Sequence, residues 1–241
     1  MLVCQMAVCL RDERTYAMPC SSVRNTLLWV LPSAPMTCLA VIDFETTGAT
    51  PAQGARATEV AICLLEGGRI VDRFASLMNT GVRIPSFITQ LTGITNEMLA
   101  AAPPADAVMR EAAAFVGSRP MVAHNAAFDR QFWRSELAHC GLAADHDFAC
   151  TLLLSRRLYP DVPNHKLGTL AQWFDLPVSG RAHRALADAE VAAHLLARMQ
   201  RDLEKRHDCS EVNAALLMAL QRTPLAQVRA FLQQFSPVPG R

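Results

Sequence analysis

Three short stretches of the chain carry residues whose type and spacing suit the handling of a cation and a phosphate. The first is Asp43-Phe44-Glu45-Thr46-Thr47-Gly48. Residues two apart on a β-strand project to the same face, so Asp43 and Glu45 stand together at the end of an otherwise apolar run. Neighbouring carboxylates repel, and a buried pair persists only with a cation or a proton. Thr46, Thr47 and Gly48 then offer hydroxyls and backbone amides to a phosphate or a terminal sugar. Alone, a D-x-E pair is equally a solvated strand end followed by a turn. The second stretch is His124-Asn125-Ala126-Ala127-Phe128-Asp129. Asp129 falls in the first turn of a helix, where an acid is also a favourable partner of the helix dipole. The third is His183-Arg184-Ala185-Leu186-Ala187-Asp188, with His183 on a glycine-containing approach to a helix. A lone histidine in that place is usually structural. The three stretches together are far more specific than any one of them.

The elements that must position these residues follow from hydrophobic periodicity. Cys38–Phe44 reads as a buried central strand. Ala57–Leu65 and Arg69–Met78 read as two further strands joined at Glu66-Gly67-Gly68, a hairpin turn with glycine where positive φ is wanted. Ala105–Val116 has helical spacing, Pro120–Ala123 is a short strand, and Ala126–His139 is a helix with Phe128, Phe132, Trp133 and Leu137 near one face. Phe148–Thr151 is a candidate fifth strand. Helices follow around Leu152–Leu158, Leu167–Phe174 and Leu186–Met199. Antiparallel strands followed by βα units predict an α/β fold, a mixed sheet with its first three strands antiparallel and helices on its faces. Beyond it, Arg201–Asp208 reads as a charged hinge before apolar helical runs at Val212–Leu220 and Leu225–Phe235.

Composition sets bounds and little more. The 241 residues suit one compact domain with a short appendage. They are 51% apolar and 19% charged, with a net charge of +1, so no strongly basic surface argues for nucleic acid. Lys166 and Lys205 are the only lysines, a bias toward arginine that codon usage explains better than phosphate binding. Eight cysteines are scattered without C-x-x-C spacing in the main body, which signals neither a zinc site nor a redox pair. Cys38 and Cys63 fall in apolar strands, where a buried free thiol is the default. A reducing cytoplasm fits this usage. No apolar stretch approaches the length of a membrane span. Thr26–Leu31 is short for a signal core and lies far from the N-terminus. Residues 1–36 are read as a disordered leader or an over-extended start, 37–200 as the main domain and 201–241 as a helical tail.

The order and wording of the three stretches resemble the DEDDh branch of the DEDD superfamily of 3′–5′ exonucleases, whose best-known member is the proofreading (epsilon) subunit of bacterial DNA polymerase III. The D-x-E-T-T-G motif matches Asp43–Gly48, H-N-x-x-F-D matches His124–Asp129, and H-x-x-x-x-D matches His183–Asp188. Leu91-Thr92-Gly93-Ile94-Thr95 resembles the segment that lies against the terminal base. Asn164-His165-Lys166-Leu167 and Leu170-Ala171 resemble the approach to the third motif. The likeness covers residues 37–200. One departure is Ser86-Phe87 after Pro85, where many relatives carry an acid near the terminal sugar.

The resemblance implies a ribonuclease H-like fold and hydrolysis assisted by two Mg²⁺ ions, which Mn²⁺ would replace. Mg²⁺ is hard and prefers carboxylate oxygen and water, which accounts for acids drawn from separate elements. Asp43 would bridge both ions, Glu45 and Asp188 would hold the nucleophile-side ion, and Asp129 would support the second through water. His183 would accept a proton from the attacking water, since imidazole titrates near neutral pH. Thr46, Thr47, Gly48, Thr92, His124, Asn125 and Phe128 are the implied substrate contacts, with Ile94 a further candidate for packing against the last bases. The implied partner is a nucleic-acid 3′ end, single-stranded or frayed. The tail is short, helical and not Gln-rich, which favours a free-standing or auxiliary exonuclease over a proofreading subunit tethered to a DNA polymerase. A module that binds ends without cutting would be favoured by a missing acid, and all five positions are filled.

Overall fold

A computed structural model describes residues 38–209 and 211–235. The leader 1–36 and the Thr26–Leu31 segment lie outside the described residues. Five strands form one mixed sheet: β1 (Leu39–Thr46), β2 (Ala57–Glu66), β3 (Arg69–Leu77), β4 (Met121–Ala123) and β5 (Phe148–Cys150). Their order is β3-β2-β1-β4-β5. The β1–β2 and β2–β3 pairs are antiparallel, and the β1–β4 and β4–β5 pairs are parallel, as the pattern of the sequence predicts. Gly67 and Gly68 make the two-residue turn between β2 and β3. Both have positive φ, 58° and 71°, which a turn of this length matched to strand twist requires.

The helices are α1 (Ser86–Thr92), α2 (Asn96–Ala101), α3 (Ala105–Val116), α4 (Ala126–His139), α5 (Thr151–Leu158), α6 (Leu167–Trp173), α7 (Ala185–His207), α8 (Ala214–Leu220) and α9 (Val228–Gln233). The period-2 alternation of β1 divides its buried residues between two layers. Leu39 and Val41 join Ala61, Cys63 and Leu65 under α7. Ala40, Ile42 and Phe44 join Val60 and Ile62 against α3 and α4, with Phe132, Trp133 and Leu137. The face of α7 that meets the sheet carries Ala185, Ala189, Ala192 and Ala193, all buried. Side chains this small let a helix lie close to the strands and bring its first turn to the sheet's edge.

Two features depart from the sequence reading. Helices α1 and α2 were not foreseen. They are seven and six residues long, too short for periodicity to register, and are set by local signals: α1 ends at Gly93 in the left-handed region, and Thr95 accepts the Met98 N–H as the cap of α2. The expected hinge at Arg201–Asp208 is instead the end of α7, which turns out of the helix only at Asp208. Leu203 is fully buried there, and Asp202 binds the Tyr159 hydroxyl at 2.9 Å and Arg198 at 2.9 Å. Those two contacts satisfy a charge that the sequence alone suggested was solvated. Cys63 is buried and Cys38 half-buried, and both are free thiols, as are Cys140, Cys150 and Cys209. Among the described residues no helix is long and apolar enough to cross a membrane.

The residues after α8 close the open edge of the sheet. Among the described residues no strand lies outside β5, and the Gln221 side chain takes that place. The Gln221 Oε1 accepts the Cys150 N–H at 2.6 Å, and its Nε2 donates to the Phe148 carbonyl at 3.1 Å. A primary amide offers one acceptor and donors in the spacing of a backbone peptide, so it can pair with both groups. Leaving two buried backbone groups unpaired costs about 1–3 kcal/mol each. Gln221→Ala is therefore expected to lower stability in urea denaturation by roughly 2–4 kcal/mol. A loss under about 0.5 kcal/mol, the range of ordinary surface changes, would show that water replaces the amide.

Candidate active site

The site forms where β1 outruns its parallel neighbour. β4 pairs with β1 only at Ala40 and Val41, so the backbone of Phe44 has no strand partner on that side. Asp129 fills the gap: its Oδ1 accepts the Phe44 N–H at 3.2 Å. It comes from the first turn of α4, on the layer opposite α7. Asp43 and Glu45 share the α7 face of β1, one and three positions past the buried run. From that side α7 brings Asp188 in its first turn. Both layers thus deliver acids to the end of one strand.

Glu45, Asp188 and the imidazole of His183 place their ligand atoms within 4.8 Å of one another. His183 is exposed and sits at φ 61°, a left-handed conformation unusual for a side chain with a Cβ. Its backbone N–H donates to Asp188 Oδ2 at 2.9 Å, which holds the turn. Asp43 joins them through charge. Burial raises its carboxyl well above the ordinary range, and Asp129, Asp188, Glu45 and Glu59 add to the shift in that order. Burial, with Asp188 and Glu59, pushes Glu45 up to about 8 against the pull of Arg184. Burial pushes Asp129 up to about 8 despite the Phe44 N–H. Burial also raises Asp188, although its His183 contact lowers it. Four carboxyl groups that resist ionising together, all hard oxygen donors, fit a divalent cation.

The remaining expected contacts are mostly committed within the protein. Thr46 Oγ1 donates to the Gly48 carbonyl at 2.7 Å, and Thr47 Oγ1 accepts the Arg56 N–H at 3.0 Å. These hydroxyls shape the turn after β1, where Gly48 lies so near Ala55 that a Cβ would stand 3.3 Å from it. Burial holds His124 down to about 4 and therefore neutral, and its two ring nitrogens meet Thr151 Oγ1 and the His165 carbonyl, each at 3.0 Å. His124 is thus a brace between β4, α5 and the Asn164–Lys166 loop, not a group facing a substrate. Asn125 is exposed at φ 67° at the head of α4. Phe128 is half-buried and packs on Phe132 with centroids 4.9 Å apart. Thr92 and Ile94 are buried, with Thr92 Oγ1 bonded to the Ile88 carbonyl and the Ile94 N–H. The exposed apolar groups of α1 are instead Phe87, at 63%, and Leu91, at 45%. Arg181 ties this helix to the His183 approach by donating to the Gln90 and Leu91 carbonyls at 3.3 Å.

The sequence reading missed Glu59. It is buried on β2 directly opposite Glu45 in the register. The available signal was a lone charge inside the apolar run Ala57–Leu65.

The exonuclease (RNase T) family model matches residues 40–196. The chain belongs to this exonuclease family. A PolC-type DNA polymerase III of Halalkalibacterium halodurans is 39% identical over 69% of the chain, a match that spans 12% of the polymerase's length. The 3′–5′ exonuclease DinG of Bacillus subtilis is 38% identical over 63% of the chain and 16% of its own length. The chain therefore corresponds to a small part of each of these relatives. Exonuclease X, solved in complex with 5′ overhanging duplex DNA, superposes with a TM-score of 0.57 at 28% identity, covering 68% of this chain and 91% of that one. The nuclease domain of 3′hExo, a DEDDh family member bound to rAMP, shares the fold at 20% identity and a TM-score of 0.59, covering 69% and 93%. The domain is accordingly an exonuclease domain of ribonuclease H-like fold.

The raised carboxyls make the protein without added metal sensitive to pH. Each is more easily protonated in the fold than in the unfolded chain, where carboxyls titrate near pH 4. Their favourable contribution is therefore complete below about pH 4 and is lost as pH rises to about 8, where Glu45 and Asp129 ionise. Asp43→Asn, which removes one of the repelling charges, is expected to melt higher than wild type in EDTA at pH 8, with the gap closing toward pH 4. A variant that melts lower than wild type at pH 8 would show that the acids do not strain the metal-free protein.

Proposed function

We propose that this domain removes nucleotides one at a time from nucleic-acid 3′ ends, releasing nucleoside 5′-monophosphates with the help of two Mg²⁺ ions that Mn²⁺ can replace. The observation that carries the reading is the convergence of Asp43, Glu45, Asp129 and Asp188 from both layers on one strand end, with His183 at its exposed lip. The divalent ions, when bound, neutralise the scissile phosphate and ease deprotonation of the attacking water. Asp43, Glu45, Asp129 and Asp188 hold them. His183 takes the proton from that water as its oxygen bonds to phosphorus. The bond from phosphorus to the 3′-oxygen of the preceding nucleotide then breaks, and that oxygen is protonated as the new 3′-hydroxyl. Phe87 and Leu91 are the apolar groups exposed on α1 and available to pack against the terminal bases. The free thiols fit action in the reducing cytoplasm.

A free-standing or auxiliary enzyme is the first reading of its setting. The 39% identity to a PolC-type polymerase favours a second, proofreading beside a polymerase. The two are separated by comparing single-stranded DNA, duplex DNA with a matched or mismatched 3′ terminus, and short RNA. A strong preference for the mismatched terminus supports proofreading.

His183→Gly tests the base directly, because glycine keeps the left-handed turn without strain. Loss of a positioned base is expected to lower kcat by about 10²–10⁴-fold. Near wild-type turnover would remove His183 from the reaction.

A further inference from the structure

We propose that Glu59 is a positioning residue for this reaction, clamping the N-terminus of α7 and so holding His183 and Asp188 against the end of β1. The inference rests on the exonuclease reading above and adds a carboxylate that holds no cation. By type and place Glu59 looks like another ligand, since it lies across from Glu45 in the β1–β2 register. Its hydrogen bonds assign it elsewhere. Arg184 Nη2 donates to Oε1 at 2.7 Å and Arg184 Nε to Oε2 at 3.0 Å. The Ala185 N–H donates to the same Oε2, also at 3.0 Å. Both carboxylate oxygens are thus directed to α7.

The arrangement answers a local need. The first N–H groups of a helix lack partners within it, and α7 has no side-chain cap of its own at Arg184. Glu59 supplies from the sheet an acceptor for the Ala185 N–H and the negative charge that a helix N-terminus favours. The clamp sits between the two groups it positions. His183 precedes Arg184 in the chain, and the Asp188 N–H donates to the Arg184 carbonyl at 3.1 Å. The Glu59 side chain is 6% exposed and that of Arg184 38%, so the acid is fixed by packing and the fork reaches in from the rim. A guanidinium meets both oxygens of a carboxylate in one plane, which an ammonium cannot. The bridge fixes rotation as well as distance. A displaced helix start would carry His183 away from the reacting water.

The test uses Glu59→Gln, Arg184→Gln, Arg184→Lys and the Glu59→Gln/Arg184→Gln pair in the full chain. Mononucleotide release from a single-stranded oligonucleotide gives kcat and KM, and amide hydrogen exchange is read in EDTA. Glu59→Gln keeps the volume and leaves no buried charge, so its sheet should stay folded. Its kcat is expected to fall about 10- to 100-fold, as for partners that orient metal ligands, with KM within about threefold of wild type. Arg184→Lys should fall between wild type and Arg184→Gln. The double variant should be no slower than the slower single, because both members act through one bridge. Exchange should quicken by about tenfold for Ala185 and its neighbours, with α4 amides unchanged. Three results would overturn the clamp: kcat of Glu59→Gln within twofold of wild type, additive losses in the double variant, or faster exchange throughout the sheet. Wild-type protein that releases no mononucleotide would contradict the exonuclease reading instead, and the exchange measurement would still read the clamp itself.

Discussion

Burial of four carboxyl groups at one strand end, where they also repel one another, governs the architecture around β1. Asp43, Glu45, Asp129 and Asp188 stand close enough that each finds ionisation harder because of burial and its neighbours. A group of this kind tends to spread apart, and the chain opposes the tendency from both layers. Glu136 of α4 takes Arg56 in a fork, at 3.0 and 2.8 Å, and accepts the Ala57 N–H at 2.9 Å. Glu59 of β2 takes Arg184 and the Ala185 N–H in the same manner. In each case one buried acid binds an arginine and the backbone N–H of the next residue. The first clamp fastens the helix that carries Asp129, and the second fastens the helix that carries Asp188.

The sheet supplies the opening into which these acids fit. Had β4 run the full length of β1, it would have taken the Phe44 N–H that Asp129 accepts. The β1–β2 register shifts just past Glu45, where Thr46 faces Ala57 and Thr58 is skipped. Such a bulge bends the strand and re-aims its side chains, and here it falls at the boundary between Asp43 and Glu45 and the turn that follows. The residues that complete the edge of β5 lie far along the chain at Gln221. The segment after α7 therefore contributes to the sheet on which the site depends.

Much of this was legible in the sequence, for reasons that differ by residue. Strands β1 and β2 and helices α3 and α4 announce themselves through long periodic runs, and Ala105–Val116 and Ala126–His139 match the observed helices end for end. Asp43 and Glu45 follow from strand alternation together with the need of a buried acid pair for a cation, whereas Asp129, His183 and Asp188 draw their roles mainly from the order of the motifs. What was hidden depended on partners distant in the chain. His124 reads as a polar group near the site until Thr151 and His165 take both its nitrogens. Glu59 reads as an irregularity in an apolar strand until Arg184 arrives from 125 residues away. The end of α7 reads as a charged hinge because Asp202 finds Tyr159 and Arg198 only in the fold.

A divalent ion that binds the metal-free protein is expected to displace protons from these carboxyls. Calorimetric titration of Mg²⁺ or Mn²⁺ at pH 7, repeated in buffers of different ionisation enthalpy, counts the protons released per ion bound. With Glu45 and Asp129 titrating near 8, binding should release about one proton or more, fewer at pH 9, and fewer still from Asp43→Asn. Binding whose heat is the same in every buffer, or no saturable binding, would contradict the account.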